Sequence, residues 1–306
     1  HQSGISSQID SLYGTRSAAA WRRHYIEALE EYGRHFGEDR DVVIARCPSQ
    51  MNIMGMHLDY GGMSSLRMAV RGADTITIAA PAADGDRVRI RSVLQVPGQD
   101  RVDFHPAEWR LSELVPSGEN VGSREAIMDY AGRVCDERER ATGRAVDDDW
   151  QVLPEGQLLF LESFLRDKPK PLTGFDALVW SNVSPAGGMS SSSALVISTA
   201  YAALGVNGLA PGSGVSQVDL IDGVGSSEWL RGTRGGTADH GGMILGRGGA
   251  VVKVGVWPAS AQGWAAIPSQ YLSLIHISEP TRRTPSWYAG FCLKKKRGGG
   301  GGGGGG

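Results

Sequence analysis

The order of apolar and polar positions shows two apolar segments separated by a short polar run. Residues 175–183 (FDALVWSNV) are short, apolar and rich in β-prone side chains, as buried strands are. Residues 194–204 (ALVISTAYAAL) are apolar on nearly every face of a helix, which is typical of a helix inside a core. The pattern therefore predicts a buried strand, a connecting loop and a buried helix.

Other segments predict further helices and a pair of strands. The predicted helices span residues 21–37, 125–142, 158–165 and 218–230. Residues 75–79 and 87–93 are β-prone, and apolar side chains alternate with arginines in the second of them. Because Asp84-Gly85 lies between the two segments, the pattern predicts a β-hairpin with one solvent-exposed face.

The loop between the first strand and helix, residues 184–194 (SPAGGMSSSSA), has the composition of an anion-binding site. The first N–H groups of a helix lack intrahelical partners, and the helix dipole is positive at that end. Gly187 and Gly188 allow close approach of the backbone to a phosphate, and residues 190–193 supply four serine hydroxyls. The alternative is a serine-rich helix cap or a flexible loop. A Walker A loop is excluded because no lysine follows the glycines.

The C-terminal part of the chain differs in character from the rest. Residues 272–282 (LSLIHISEPTR) match what a common sequencing adapter encodes in this frame, residues 288–296 resemble the end of that adapter, and positions 298–306 are all glycine. We therefore expect residues 272–306 to be non-native, and the chain, which begins with His1, to be an open fragment of a longer protein. The alternative is a basic, glycine-rich tail that binds nucleic acid.

Without residues 272–306 the chain is acidic. Lys plus Arg falls from 31 to 25 and Asp plus Glu from 33 to 32, so the formal net charge changes from −2 to −7. A net negative charge does not favour binding to the negatively charged backbone of DNA or RNA. Cys47 and Cys135 lack the spacing of a metal or disulfide framework, and no apolar run approaches the ~20 residues of a membrane span. We expect a cytoplasmic protein with reduced thiols and with neither a nucleic-acid nor a membrane partner.

Three segments resemble, in order and spacing, motifs of the GHMP family of small-molecule kinases. Residues 48–62 (PSQMNIMGMHLDYGG) resemble the galactokinase signature Asn-x-x-Gly-Glu-His-x-Asp-Tyr, which lines the sugar pocket. The serine-rich loop resembles the family motif Pro-x-x-Gly-Leu-Ser-Ser-Ser. Residues 235–240 (GGTADH) resemble the galactokinase segment that ends in the catalytic Asp-Gln. The resemblance covers residues 15–260 approximately and identifies the chain as similar to galactokinase-like GHMP kinases.

This resemblance implies an α+β fold with two domains. Residues 1–204 would form an N-terminal, ribosomal-protein-like domain that carries the sugar and phosphate-loop motifs. Residues 205–271 would begin a ferredoxin-like C-terminal domain that is truncated in this chain. The resemblance also implies ATP and Mg²⁺ as cofactors, a small-molecule sugar as the acceptor, and a monomeric protein.

The same resemblance assigns the residues around the acceptor. Asp239 would be the base that orients or deprotonates the sugar hydroxyl, and His57, Asp59 and Gly236 would line the sugar site. Taken alone, Asp239 is more typical of an Asx turn in a glycine-rich loop, and His57 of a structural loop histidine. The sugar contacts would come from carboxylate oxygens that accept hydrogen bonds from neighbouring hydroxyls.

The nucleotide would bind at the serine-rich loop. The residues with this assignment are Pro185, Gly187, Gly188, Ser190, Ser191, Ser192 and Ser193. Ser192 and Glu228 would hold Mg²⁺, an ion that takes oxygen ligands and retains several waters. The alternative for Glu228 is an ordinary solvent-facing acid on a helix.

Three positions depart from the galactokinase pattern. Met56 stands where the signature has a glutamate that contacts the sugar, Gln50 where it has an arginine near the transferred phosphate, and His240 where it has glutamine. Loss of the cation removes transition-state stabilisation, and loss of the glutamate removes a hydroxyl acceptor. A monosaccharide other than galactose is therefore one prediction. A catalytically silent sugar- or nucleotide-binding sensor is a second, and a kinase for a non-sugar alcohol is a third, which the HLD sequence at residues 57–59 disfavours.

Overall fold

The computed structural model describes residues 2–185, 187–209 and 214–267. The helices are α1 (Gln2–Tyr13), α2 (Ala18–Phe36), α3 (Leu111–Leu114), α4 (Arg124–Thr142), α5 (Val152–Leu165), α6 (Ser191–Val206), α7 (Gly225–Ser227) and α8 (Ala238–Ile244). The strands are β1 (Val43–Met54), β2 (Ser65–Pro81), β3 (Arg87–Leu94), β4 (Val102–Asp103), β5 (Ala107–Arg110), β6 (Phe175–Ser181), β7 (Ala250–Gly255) and β8 (Ser260–Ala266). Short helical turns of other types occur at Asp59–Gly61, Asp219–Val224 and Glu228–Arg231. The segment expected to be adapter-derived, residues 272–306, lies outside the described residues.

The strands of the described ranges form one mixed sheet. Its order is β4-β3-β6-β2-β7-β8, with β1 paired to β2 and β5 paired to β3. β3 and β6 are parallel, and the other pairs are antiparallel. One mixed sheet with helices confirms the α+β class. The domain boundary predicted after residue 204 falls within α6, and the division into two domains stays a prediction. None of the helices in the described ranges is long and apolar enough to cross a membrane.

Alternating side chains of the central strands reach two separate cores. Ile76 and Ile78 of β2, with Leu178 and Trp180 of β6, pack in a core shared with α1 and α2. Val179 belongs instead to the core formed with α4, α5 and α6. Because successive side chains of a strand point to opposite faces, both faces of the sheet are covered by helices. Burial on both faces explains why β6 has a nearly continuous apolar sequence.

The hairpin predicted from residues 75–79 and 87–93 is wrong. β2 and β3 do not pair with each other, because β6 lies between them: Val179 is opposite Thr77 on one side and opposite Ser92 on the other. The alternation within β3 was predicted correctly, since its arginines are partly exposed and the residues between them are buried. Local alternation determines which face of a strand is buried, but the pairing partner here comes from a much later part of the chain.

β1 and β2 form a long hairpin that carries residues 48–62, called the sugar-signature segment below. The register pairs Gln50 with Ala69 and Asn52 with Arg67. The first half of the signature therefore lies on a strand, and its second half lies in the connection of residues 55–64, which includes the turn Asp59–Gly61. α8 packs against both strands of the hairpin. This packing brings the GGTADH segment to the sugar-signature segment.

Two glycines test the helix packing around α5. A Cβ atom at Gly223 would lie 2.1 Å from the ring of Phe160 in α5, so Gly223→Ala requires the ring or the turn to move. We expect this change to lower the free energy of unfolding by about 1–3 kcal/mol. At Gly132 in α4, no described residue outside the helix backbone lies within 4 Å of a new Cβ. Gly132→Ala should therefore raise the free energy of unfolding by about 0.5–1 kcal/mol. Urea unfolding followed by circular dichroism measures both changes, and similar values for the two variants would contradict this packing.

Candidate active site

The serine-rich loop joins the central strand β6 to the N-terminus of α6, as the sequence predicts. Gly188 has a φ of +68° and Ser190 a φ of +55°, so the chain turns sharply just before the helix begins. Ser190 occupies the N-cap position, but its side chain makes no capping hydrogen bond to the helix. The N–H groups of the first turn of α6 are therefore not taken up by the N-cap side chain, and Ser191 and Ser192 beside them are half-buried.

Asp239, at the start of α8, lies where three parts of the chain meet. Its Oδ1 accepts a hydrogen bond of 3.0 Å from Gln50 Nε2 of β1 and forms an ion pair with Arg67 of β2. Its Oδ2 accepts a hydrogen bond from the Ser190 hydroxyl at the N-terminus of α6. The Asp239 side chain is 33% exposed, so a ligand can reach the carboxylate although protein groups hold it in place.

Asp59 connects the sugar-signature segment to the GGTADH segment. Its side chain is buried, and Oδ2 accepts a hydrogen bond of 3.2 Å from the Ala238 N–H. A Cβ atom at Gly236 would lie 2.1 Å from the same oxygen, so only glycine fits this approach without displacing Asp59. The structure therefore brings Asp59, Gly236 and Asp239 together, as the sequence-based assignment expects.

His57 has a different environment from its neighbour Asp59. It has a φ of +66°, is exposed, and shares a hydrogen bond of 2.9 Å with the Tyr60 hydroxyl. The structure thus orders the His57 ring against Tyr60 within the same loop. A contact from His57 to the sugar stays a prediction.

Gln50 is buried in the middle of the site. Its Nε2 donates to Asp239 and, at 2.9 Å, to the Ser190 hydroxyl. Its backbone N–H donates to the Met189 carbonyl at 3.4 Å, which fastens β1 to the serine-rich loop. The residue at the position of the expected arginine therefore connects Asp239 to the serine-rich loop by hydrogen bonds and carries no charge.

Glu228, one of the two predicted magnesium ligands, lies beside His240. Glu228 Oε1 is 3.0 Å from Nε2 of His240, which is 1% exposed. Among the described residues, no three His, Cys, Asp or Glu side chains are grouped as a metal centre. Mg²⁺ is commonly held by one or two protein oxygens together with waters and phosphates, so a serine hydroxyl and a carboxylate are a suitable donor set. The assignment of these two ligands stays a prediction.

Arg67 is the residue of the site that sequence reasoning missed. It lies within the strand sequence SLRMAVR and is 3% exposed. In sequence it is one of several arginines in β-strands, and only the register of β1 with β2 and the packing of α8 bring it to Asp239. An arginine between the apolar residues Leu66 and Met68 was the available signal.

The two cysteines within the described residues lie outside this arrangement. Both are buried free thiols. Burial raises the pKa of Cys47 and of Cys135 above the usual thiol value, which disfavours the nucleophilic thiolate form at neutral pH. The structure therefore favours a packing role for both residues.

Two family models match the chain. The galactokinase galactose-binding signature matches residues 30–81, which include Gln50, Asp59 and Arg67. The GHMP kinase N-terminal domain matches residues 158–247, which include the serine-rich loop and Asp239. The two matched segments together contain all the candidate site residues.

A solved galactokinase structure shares the fold of this chain. This Lactococcus lactis galactokinase, crystallised with galactose, is 15% identical with a TM-score of 0.54, over 80% of this chain and 51% of that chain. A mevalonate kinase from Methanococcus jannaschii is 14% identical with a TM-score of 0.43, over 76% of this chain and 57% of that one. This chain thus spans about half the length of the galactokinase that it matches. The chain therefore carries a galactokinase galactose-binding signature and a GHMP kinase N-terminal domain, on a fold that it shares with that galactokinase.

Proposed function

We propose that this chain carries the sugar and triphosphate sites of an ATP-dependent sugar kinase that phosphorylates the anomeric hydroxyl of a monosaccharide. The observation that carries the proposal is the position of the Asp239 carboxylate. It is partly exposed and is held between the sugar-signature hairpin and the N-terminus of α6. A hydroxyl bound there would have a proton acceptor on one side and a phosphate-binding helix terminus on the other.

The chemistry follows from this placement. As the sugar oxygen bonds to the γ-phosphorus and the bond to the ADP oxygen breaks, the hydroxyl proton passes to the Asp239 carboxylate. Gln50, Arg67 and Ser190 hold both carboxylate oxygens in place, so little reorganisation accompanies the transfer. Little covalent chemistry is required of the protein, because phosphoryl transfer depends mainly on positioning and charge.

The serine-rich loop fits a triphosphate. Because Ser190 points its hydroxyl at Asp239 rather than at its own helix, the N–H groups at the start of α6 are available to an anion. Gly187 and Gly188 carry no side chain that would obstruct phosphate oxygens, and Ser191 and Ser192 add hydroxyl donors. Mg²⁺ bound through Ser192 and Glu228 would neutralise negative charge on the phosphates.

The acceptor would be bound through Asp59 and the loop around it. Asp59 Oδ2 is engaged by the Ala238 N–H, so the carboxylate is held in one orientation, from which the remaining lone pairs can accept from sugar hydroxyls. Met56 offers no such acceptor. A site with one hydroxyl acceptor fewer than the galactokinase pattern favours a monosaccharide other than galactose.

The experiment is a panel of monosaccharides incubated with the protein, ATP and Mg²⁺, with ADP release and sugar phosphate measured. We expect turnover with at least one sugar, and dependence on both ATP and Mg²⁺. The neutral Gln50 and Met56 motivate the second candidate function, a silent sensor. Sugar and ATP binding by calorimetry without turnover on any sugar would overturn the kinase proposal in favour of that sensor.

Ser192 offers a test of the metal assignment. We expect Ser192→Ala to raise the Mg²⁺ concentration needed for half-maximal activity by about tenfold, because a hydroxyl ligand is lost, whereas Ser192→Thr, which keeps the hydroxyl, should change it little. The measurement is the initial rate over a magnesium titration at fixed ATP. An unchanged magnesium dependence in Ser192→Ala would count against this residue as a ligand.

A further inference from the structure

Arg67 is a buried cation that lies between two carboxylates of the site. Its side chain is 4% exposed. Nη1 pairs with Asp239 Oδ1, Nε donates to the Ser65 hydroxyl at 3.0 Å, and Nη2 lies 4.0 Å from Asp59 Oδ2. One guanidinium therefore faces both the proposed base and the proposed sugar ligand.

The position of Arg67 is fixed by its surroundings. It lies opposite Asn52 of β1 and opposite Val252 of β7, in the interior of the sheet. A Cβ atom at Gly242 of α8 would lie 2.8 Å from Cβ of Arg67 and 3.6 Å from Cβ of Gln50. α8 thus packs directly on the stems of both side chains, and the two residues reach the same carboxylate oxygen from neighbouring strands.

A buried arginine is costly in free energy unless it is paired. Here the pairing groups are site carboxylates, and the amide of Gln50 beside them is neutral. Two carboxylates and an incoming triphosphate would concentrate negative charge at this point, which requires a nearby cation. We propose that Arg67 is the positioning residue that supplies this cation, so that the charge expected at position 50 on β1 is provided from β2. This inference rests on the proposed kinase function.

The test exchanges the two residues. Arg67→Gln should lower kcat by about 10²–10³-fold with little change in the KM for sugar or ATP, because a charge that acts in the transition state is lost. In the double variant Gln50→Arg/Arg67→Gln, the guanidinium returns to the same carboxylate from the other strand, and we expect kcat to recover by about tenfold or more. Arg71 is an exposed arginine on the same strand, so Arg71→Gln is the matched control and should behave as wild type.

The outcomes separate the two proposals. A merely structural role for Arg67 predicts no recovery in the double variant, and a kcat of Arg67→Gln close to that of wild type would also overturn the inference. Absence of turnover by the wild-type protein on every sugar would instead overturn the kinase function, and this inference with it.

Circular dichroism and urea unfolding check that each variant folds. If Arg67→Gln does not fold, Arg67→Lys takes its place. Lysine keeps the charge without the planar fork, so the inference requires a loss of kcat smaller than about 10²-fold, and a larger loss would overturn it.

Discussion

Replacing Asp239 by asparagine should abolish phosphoryl transfer and leave ATP binding nearly unchanged. The amide has almost the same size as the carboxylate, and its oxygen can still accept from Gln50, Arg67 or Ser190. It cannot take the proton of a sugar hydroxyl, and it does not balance the charge of Arg67. We expect kcat to fall by at least about 10³-fold, within the range observed for loss of general base catalysis combined with loss of an ion pair.

The measurement combines steady-state kinetics with calorimetric titration of ATP. Asp167 is a suitable control because it is an exposed acid in the turn after α5, and Asp167→Asn should leave kcat unchanged. Urea unfolding shows whether the unpaired Arg67 destabilises the Asp239 variant. Full turnover by Asp239→Asn would refute its role as the base, whereas loss of ATP binding would indicate a structural role at the serine-rich loop.

Gly236→Ala should weaken sugar binding strongly. The new methyl group would overlap Asp59 Oδ2, which lies 2.1 Å from the ideal Cβ position. Either Asp59 or the GGTADH segment must move, and the hydrogen bond from the Ala238 N–H is then lost or bent. Because the sugar contacts depend on a fixed carboxylate, we expect the KM for sugar to rise by at least about tenfold, with a smaller effect on the KM for ATP.

The adjacent glycine is the control for this change. At Gly235, the described residues leave open space for 4 Å around an added Cβ, so Gly235→Ala should change neither KM appreciably. Kinetics over a range of sugar concentrations at saturating ATP distinguish the two variants. Equal effects at the two positions would show that the result reflects loop flexibility rather than contact with Asp59.

The parts of the fold and site that sequence predicts are those with a local cause. The strand of residues 175–181 and the helix that starts at Ser191 have apolar patterns of their own, and the loop between them is rich in glycine and serine. The family resemblance adds the sugar-signature and GGTADH segments, which the structure brings into contact through Asp59 and Ala238. The sequence motifs are therefore sufficient to group the side chains of these segments into one site.

The features that sequence reasoning missed depend on pairing between distant segments. The hairpin between β2 and β3 was wrong because β6 enters between them, and no local pattern encodes that insertion. Arg67 was missed for the same reason, since its role follows from the register of β2 and from the packing of α8. The hydrogen bond between Glu228 and His240 was likewise not foreseen, because it depends on how a helical turn lies beside α8.

The most direct test of the central claim is the crystal structure of the protein with a bound monosaccharide, Mg²⁺ and a non-hydrolysable ATP analogue. We expect one sugar hydroxyl to lie within hydrogen-bond distance of the Asp239 carboxylate, roughly 2.6–3.2 Å, and Asp59 to accept hydrogen bonds from neighbouring hydroxyls. We also expect the terminal phosphate to lie at the N-terminus of α6, against Ser190 to Ser193. A triphosphate bound elsewhere, or a sugar with no hydroxyl within reach of Asp239, would contradict the proposed site.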